Sequence, residues 1–134
     1  MKPHLFVVTA AVALVACDNV DDHYNTLQDA RADELFQRGW LPDILPPSSH
    51  DIQTSNDLDI NVSSGEFHFK PEEFPGFAMK VRPYSRRESR LYGLEADINR
   101  LMRQGYVPYE YVSDGSVWVF LCRTDRGVCE YRMW

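Results

Sequence analysis

Four consecutive residues near the middle of the chain have the side-chain types of a hydrolytic triad, in the order Ser48-Ser49-His50-Asp51. A serine nucleophile activated by a histidine base, with an aspartate to orient that base, would catalyse acyl transfer. Adjacent side chains diverge, however, and a triad is defined by spatial roles rather than by neighbouring positions. Because the segment follows a Pro-Pro pair, the sequence favours a turn in which the Ser and Asp side chains bond to local backbone.

Three oxygen-bearing side chains at alternate positions, Asp57, Asp59 and Asn61, have the spacing of the first ligands in a calcium loop. The glycine and the bidentate glutamate that complete such a loop do not follow at the required places. Alternation with three aliphatic residues predicts instead a half-buried strand with an acidic outer face. Weak cation binding by that face is the alternative.

His68 has no cysteine and no second histidine at metal-ligand spacing, so it is predicted to lie on a solvated face. No nucleophile–base pair, metal cluster or phosphate-binding loop is recognisable in the rest of the sequence. The sequence accordingly assigns no catalytic residue, no metal site and no cofactor.

The N-terminus has the organisation of a cleavable export signal. Lys2 supplies a positive charge, residues 5–16 form an apolar run too short to span a bilayer, and a small residue precedes Cys17. The string Leu14-Val15-Ala16-Cys17 resembles a bacterial lipobox, which implies removal of residues 1–16 and diacylation of Cys17. An ordinary secretory signal with an incidental cysteine, or a helix that is not cleaved, is the alternative.

A lipidated Cys17 would hold the chain in the cell envelope, anchored in the lipid bilayer and facing the periplasm. Residues 17–25 are polar and acidic and are predicted to form a lipidated tether, which leaves residues 26–134 as one folded domain. Asp18 resembles the residue that retains enterobacterial lipoproteins in the inner membrane, so the inner membrane is slightly favoured.

Length and charge narrow the classes of partner. Removal of residues 1–16 leaves 118 residues, enough for one domain with one core. The formal net charge is −6, and loss of Lys2 would bring it to −7. A mildly acidic chain is a poor match for nucleic acid or for anionic lipid headgroups. The expected partners are the bilayer, through Cys17, and an envelope protein or a cell-wall polymer.

The elements that must position these residues begin with a helix and an apolar strap. The helix is predicted over residues 27–38, with Thr26 as its cap, Asp29 in its first turn and Gly39 at its end. Three prolines in residues 40–47 exclude a regular helix or a central strand. Because the Trp, Leu and Ile side chains between them are too apolar for a solvated loop, an extended strap across the core is predicted.

A family resemblance is carried by Arg38-Gly39-Trp40-Leu41-Pro42, Leu45-Pro46-Pro47-Ser48, Asp57, Asp59, Asn61, Phe67 and Phe69. These residues resemble uncharacterised bacterial lipoproteins and membrane-anchored proteins of the YbbD head domain-like type, over about residues 27–70. The resemblance implies a membrane-anchored envelope protein. The family has no assigned activity, so no functional residue is carried over from it.

A hairpin and a second helix are predicted next. Residues 57–69 should form the hairpin, with its turn at Ser63-Ser64-Gly65. The helix is predicted over residues 86–104, because Ser85-Arg86-Arg87-Glu88 is a capping box and Gly105 stands at the far end. An apolar stripe at spacings of three and four supports it, formed by Leu91, Leu94, Ile98, Leu101 and Met102.

The C-terminal residues predict a three-stranded antiparallel meander. Asp114-Gly115 is a two-residue hairpin turn, which pairs Val107 with Cys122. A second turn over residues 124–127 sets Cys122 opposite Cys129. One face of the meander is then apolar or aromatic throughout and is predicted to be the core face. Its residues are Val107, Tyr109, Tyr111, Trp118, Phe120, Cys122, Cys129, Tyr131 and Met133.

Two details of the meander can be predicted from this register. Pro108 lacks a backbone N–H, so residues 106–112 should form an edge strand. Cys122 and Cys129 form a facing pair without hydrogen bonds, whose Cα atoms should be about 4.5 Å apart, within the roughly 4.4–6.8 Å that a disulfide tolerates. With Cys17 lipidated in an oxidising compartment, these two cysteines are predicted to form one disulfide. Two buried, reduced thiols are the alternative.

Together the elements predict a small single α+β domain, in which an antiparallel sheet (the hairpin plus the C-terminal three-stranded meander) packs with two helices. The helix over residues 86–104 is expected to back the apolar face. The predicted function is that of a periplasmic lipoprotein acting as a non-enzymatic binding or structural module. A small envelope hydrolase is the alternative, with residues that meet only in three dimensions, around His50, His68 and Glu66.

Overall fold

The structure, a computed structural model, describes residues 18–85 and 93–134. The export signal, the lipobox and Cys17 lie outside the described residues, as do Arg86, Arg87 and Glu88 of the predicted capping box. Within the described part of the chain, no helix has the length and apolar character needed to cross a membrane.

Seven strands form one antiparallel sheet in the order β1-β2-β3-β7-β6-β5-β4. Together with the helices they make the α+β fold that the sequence predicts. The elements in chain order are β1 (Asn19–Thr26), α1 (Leu27–Ala32), β2 (His50–Asp57), β3 (Val62–His68), a 3-10 turn (Pro71–Glu73), α2 (Phe74–Ala78), β4 (Arg82–Pro83), α3 (Leu94–Arg103), β5 (Val107–Ser113), β6 (Ser116–Arg123), a second 3-10 turn (Thr124–Arg126) and β7 (Val128–Met133).

The pairing of β3 with β7 joins the N-terminal and C-terminal parts of the chain. Phe67 faces Cys129, and Glu66 faces Glu130 in this pairing. Because the two strands are far apart in sequence, no single turn dictates their register. The predicted hairpin and the predicted meander are therefore one continuous sheet.

The segment predicted to be a tether is strand β1, at the edge of the sheet, paired with β2 along its length. Tyr24 anchors it in the core: its hydroxyl donates a 2.6 Å hydrogen bond to Asp33 and accepts one of 3.0 Å from Arg38. Burial, with the Asp33 hydrogen bond, raises the pKa of Tyr24 to about 12. The tether prediction is wrong because one buried aromatic residue among acidic neighbours gives no alternating pattern.

Helix α1 begins where predicted but ends earlier. Thr26 and Asp29 form a capping box, since each side chain accepts a hydrogen bond from the other residue's backbone N–H, at 3.1 and 3.2 Å. Glu34 follows the helix with a positive φ of 58°, which is incompatible with continuing it. The chain continues after the helix as turns, which still bury Leu35.

The strap over residues 40–47 lies against the core as predicted, but its backbone forms turns and bends and is not extended. Leu41 and Leu45 are buried in the main core. The backbone carbonyl of Trp40 accepts a 2.9 Å hydrogen bond from the indole of Trp118, which ties the strap to β6. This segment is irregular in backbone but fixed in place.

The hairpin differs from the prediction in the position of its turn. β2 ends at Asp57 and β3 begins at Val62, so residues 58–61 form the turn rather than a strand. The Asp57 carboxylate accepts hydrogen bonds from the backbone N–H groups of Asp59 and Ile60, at 3.0 and 3.4 Å. Such local bonds compete with strand pairing, and for that reason the alternating pattern led to the wrong prediction.

The meander has the predicted register at both turns. Asp114 and Gly115 have positive φ values of 49° and 80°, as a two-residue turn of this type requires, and Val107 faces Cys122. Cys122 in turn faces Cys129. The edge prediction for β5 is only partly right, because the two residues of β4 pair with it beyond Pro108.

Apolar side chains pack against both faces of the sheet, whereas the sequence predicted one core face. The predicted apolar face lies in the main core with α1, the strap and α2, except for Val107, which is 50% exposed. Helix α3 packs on the opposite face, where Ile98 and Leu101 cluster with Val119 and Leu121. The prediction that this helix backs the apolar face is therefore wrong. The second apolar face is supplied by alternate residues of β6, namely Val117, Val119 and Leu121.

The structure contains the predicted Cys122–Cys129 disulfide, with Cα atoms 4.0 Å apart, which is closer than the predicted separation of about 4.5 Å and below the usual range for a disulfide. Both residues are buried in the main core. The bond closes the short loop between β6 and β7, where it holds the C-terminal strand in register.

Replacing both cysteines, as Cys122→Ala with Cys129→Ala, is expected to lower the free energy of unfolding by about 2–3 kcal/mol, the loop-closure value for so short a loop. Urea denaturation of the oxidised protein and of the double variant measures the difference. Reduction of the natural chain should reproduce the variant's midpoint. Alkylation of both thiols without prior reduction would contradict the disulfide.

Candidate functional site

The sheet face opposite the main core, here called the outer face, is divided between a helix and a groove. Helix α3 covers the outer face of β6 and part of β5. On β2, β3 and β7, buried positions alternate with more exposed ones. Because side chains alternate across a strand, the more exposed positions of these three strands share the outer face, and the pairing of Asp21 with Ser55 and of His23 with Gln53 adds β1 to it.

A continuous polar groove runs across these four strands. One part has a volume of about 580 Å³ and lies over β1, β2 and β3. The other part, of about 320 Å³, lies over β2, β3 and β7 and is bordered by α3. Gln53, Ser64 and Gly65 line both parts, which makes them one groove. The other lining residues are Asp21, Asp22, His23, Thr54, Ser55, Glu66, Asp97, Glu130 and Arg132.

A buried chain of hydrogen bonds fixes the strands beneath the groove. The Ser63 hydroxyl donates to the Asn56 side chain at 2.6 Å and accepts from the Tyr131 hydroxyl at 2.8 Å. Burial raises the pKa of Tyr131, so its hydroxyl remains protonated and able to donate. These bonds link β2, β3 and β7, which gives the groove a rigid floor.

An ion-pair network forms the wall of the groove beside α3. Arg132 of β7 donates a 2.6 Å hydrogen bond to Asp97 of α3, which also pairs with Arg100. Although burial opposes ionisation, the hydrogen bonds from Arg132 and Arg100 hold the pKa of Asp97 below its usual value. The network both docks α3 and leaves Arg132 neutralised at the groove wall.

Two carboxylates face each other across β3 and β7 in the groove. Glu66 lies directly opposite Glu130, so their side chains share one patch of the outer face. Partial burial raises the pKa of Glu130, and the negative charges of Glu66 and Asp97 raise it further, while Arg132 acts in the opposite direction. One Glu130 oxygen, Oε2, is buried and has no hydrogen-bond partner within the described residues. A partly buried carboxylate with a free acceptor can receive a donor from a ligand.

Glu130→Gln is expected to stabilise the fold at neutral pH. A carboxyl whose pKa is raised on folding favours the folded state below its ordinary pKa and loses that contribution as the pH rises through the raised value. The free energy of unfolding of the variant should therefore exceed that of the natural chain at about pH 7.5 and equal it at about pH 4. Urea midpoints at the two pH values measure this.

Asp97→Asn is the contrasting variant on the same face. The lowered pKa of Asp97 means that its stabilisation is present at neutral pH and is lost in acid. Asp97→Asn should therefore lower the free energy of unfolding most at neutral pH, where Glu130→Gln is expected to raise it. Equal effects of Glu130→Gln at both pH values would contradict the assigned role of Glu130.

The histidines lie along the same outer face. His68 Nε2 is 3.4 Å from Glu66 Oε1, and the ring of His50 on β2 faces that of His68 at 5.8 Å. The residues named for the hydrolase alternative, His50, His68 and Glu66, are thus brought together. His23 lies 3.3 Å from Asp51. In residues 18–85 and 93–134, no group of three or more His, Cys, Asp or Glu side chains is arranged to hold a metal ion.

Ser48 does not act with His50 as a nucleophile and base. Its hydroxyl donates a 2.7 Å hydrogen bond to Glu73 and accepts one of 2.8 Å from the backbone of Lys70. His50 Nδ1 contacts the Ser48 carbonyl at 3.0 Å rather than its hydroxyl. Ser49 donates to the Pro46 carbonyl at 2.6 Å, as the predicted turn requires. The prediction is wrong for Asp51, which lies in β2 and contacts His23 rather than local backbone.

The N-terminal part of the fold matches a known family. Residues 18–68 match the YbbD head domain. The match spans β1 to β3, and it confirms the resemblance that the sequence carries in this region. No curated protein and no solved structure matches the chain.

The YbbD head segment supplies the groove side chains of β1, β2 and β3, and the rest of the chain supplies Asp97, Glu130 and Arg132. The sequence analysis missed the groove, because it identified neither Glu130 nor Arg132 as a site residue. The signal that could have found it was the polar alternation of β7. Using that signal required knowing that β7 pairs with β3.

Proposed function

We propose that this chain is a lipid-anchored protein of the periplasmic face of the envelope, whose folded domain is a non-enzymatic binding module. The export signal and the lipobox at Cys17 support the anchoring, and the YbbD head match supports an envelope-type protein. The polar groove is the observation that carries the binding role.

The groove favours a partner rich in hydrogen-bonding and amino groups. It offers amide, hydroxyl and carboxylate side chains, such as those of Gln53, Ser55 and Glu66, over a rigid floor. Its acidic side chains outnumber its single arginine, which is already paired with Asp97. An envelope protein or a cell-wall polymer presents amide, hydroxyl and amino groups that fit this surface.

Site-specific photo-crosslinking tests the binding role. A benzophenone amino acid at Ser55, inside the groove, should capture a defined partner in intact cells, detected after solubilisation of the membranes. The matched control carries the same probe at Arg126, in the exposed turn between β6 and β7. An identical set of crosslinks from the two positions would contradict a groove-specific partner.

Cys17→Ser tests the anchor. The variant should lose incorporation of a fatty-acid probe and leave an unprocessed precursor or a soluble form, because the proposed acylation needs the thiol of Cys17. Labelled cells expressing Cys122→Ala with Cys129→Ala serve as the control that other cysteines are not the acylated residues. Equal labelling of Cys17→Ser and the natural chain would exclude the lipobox.

A small hydrolase is the second candidate, favoured by one observation: Glu66 lies between His68 and Glu130 on the outer face. A histidine beside two facing carboxylates provides the kinds of side chain that general acid–base catalysis uses. Release of soluble fragments from purified cell-wall polymer by the natural chain, abolished in Glu130→Gln, would favour this function over binding alone. Among the described residues, no serine hydroxyl is bonded to a histidine, which argues against acyl transfer.

A further inference from the structure

The proposed anchor and the folded sheet are separated by one residue. β1 begins at Asn19, so the lipid-bearing Cys17 would be followed only by Asp18 before the sheet starts. Consecutive Cα atoms are about 3.8 Å apart. A domain attached in this way has no spacer and must lie at the bilayer surface with this end of the sheet nearest the lipid.

The turn at that end, residues 58–61, is here called the hairpin tip. The Leu58 backbone N–H donates a 3.2 Å hydrogen bond to the Asp18 carbonyl, so the tip touches the residue next to the anchor. Leu58 and Ile60 are 52% and 56% exposed, and Val20 on β1, opposite Asn56, is 40% exposed. Three large aliphatic side chains are therefore solvent-exposed at the anchored end.

The fold does not require aliphatic residues at the hairpin tip. The turn is already held by the Asp57 carboxylate, which accepts hydrogen bonds from two backbone N–H groups of the tip. Side chains that are half exposed and outside both core clusters contribute little to packing. Their apolar character is better explained by a surface that they contact.

We propose that the hairpin tip rests in the interfacial region of the bilayer, with Leu58 and Ile60 inserted among the lipid headgroups and upper acyl chains. This inference rests on the proposed lipidation of Cys17. The bilayer is the surface proposed for this contact because Asp18, the first described residue, directly follows the lipid-bearing Cys17. Asp57 and Asp59 at the same end favour a zwitterionic over an anionic surface.

The contact would set the height of the polar groove above the membrane. β1 rises about 3.3 Å per residue, so Asp21 and His23 lie within about 20 Å of the lipid-bearing residue. With the hairpin tip inserted, the strands run away from the bilayer and the groove opens beside its surface. A partner would therefore bind in the groove close to the membrane surface.

An environment-sensitive fluorophore tests the contact in the full-length, lipidated chain. Leu58→Cys is labelled with a nitrobenzoxadiazole probe under non-reducing conditions, which keep the Cys122–Cys129 disulfide closed, and reconstituted into phosphatidylcholine vesicles. Arg126→Cys is the matched control, because it lies in the exposed turn at the opposite end of β7. The probe at position 58 should shift to shorter wavelength and be quenched by brominated acyl chains, and the probe at position 126 should do neither.

The outcomes separate this inference from the lipidation on which it rests. Vesicle-bound protein with selective quenching at position 58 supports the tip contact. Vesicle-bound protein with equal quenching at both positions, or with quenching only at position 126, overturns it while leaving the anchor intact. Protein that stays in solution and carries no lipid by mass spectrometry overturns the anchor and the tip contact together.

Discussion

Gly65→Ala is expected to destabilise the fold by about 3 kcal/mol or more, because the added methyl group meets backbone and not a movable side chain. A Cβ at position 65 would lie 1.9 Å from the Gln53 carbonyl oxygen and 2.9 Å from the Tyr131 ring. Relief of the contact with Gln53 requires β2 and β3 to separate, and relief of the second contact requires the Tyr131 ring to shift. Either movement breaks the hydrogen-bonded floor of the groove, so loss of groove crosslinking should accompany the loss of stability.

Gly76→Ala is the matched control. Position 76 lies within helix α2, and no atom lies within 4 Å of the Cβ that would be added. Alanine in a helix is favoured over glycine by about 0.5–1 kcal/mol, so this variant should be slightly stabilised. Urea denaturation of both variants gives the comparison, and a midpoint for Gly65→Ala within error of the natural chain would contradict the described packing of β2 against β3.

Phe67→Ala is expected to cost about 3–5 kcal/mol, the range for truncating a buried aromatic residue. Phe67 is fully buried, and its ring lies 6.1 Å from those of Phe77 and Phe120. It belongs to the YbbD head segment, whereas both partners belong to the rest of the chain. The YbbD head segment and the rest of the chain should therefore unfold together in this variant. Far-ultraviolet circular dichroism should show a single unfolding transition.

Val107→Ala is the control for Phe67→Ala. The sequence places Val107 on the same apolar face, but the structure leaves it 50% exposed at the end of β5. Its truncation should change the unfolding free energy by less than about 0.5 kcal/mol. A cost for Val107→Ala comparable with that for Phe67→Ala would contradict the exposed position of Val107 at the end of β5.

These two pairs of variants bear on the candidate site because β3 joins both halves of the groove. Glu66 and Ser64 lie on the groove side of β3, while Gly65 and Phe67 lie on its core side. The YbbD head segment is expected to depend on β7 and β6 for its core. A groove that spans both parts then exists only when the whole domain is folded.

The sequence alone determined the features that depend on neighbours along the chain. The Asp114-Gly115 turn sets the register of β5 and β6, and the short loop at residues 124–127 brings Cys122 opposite Cys129. The capping box at Thr26 likewise needs only residues three positions apart. In each case the residues that meet are close in sequence, so turn and cap chemistry decide the outcome.

The sequence predictions for the hairpin turn and for β1 are wrong because the structure of neither segment follows from its hydrophobic pattern. At Asp57 the carboxylate bonds to backbone N–H groups of the next residues and makes a turn where alternation indicates a strand. In β1 only Tyr24 is buried, so its strand character depends on pairing with β2 rather than on its own pattern. Periodicity reports burial, and neither segment is buried on a regular face.

Only the tertiary structure decided the arrangement of the outer face. The β3–β7 pairing sets Glu66 opposite Glu130, and the position of α3 brings Asp97 to Arg132. Both contacts join residues far apart in the chain, and many alternative pairings would satisfy the same local patterns. Burial of apolar surface on both faces of β6 selects one of them, and the polar groove is formed by the strands that α3 leaves uncovered.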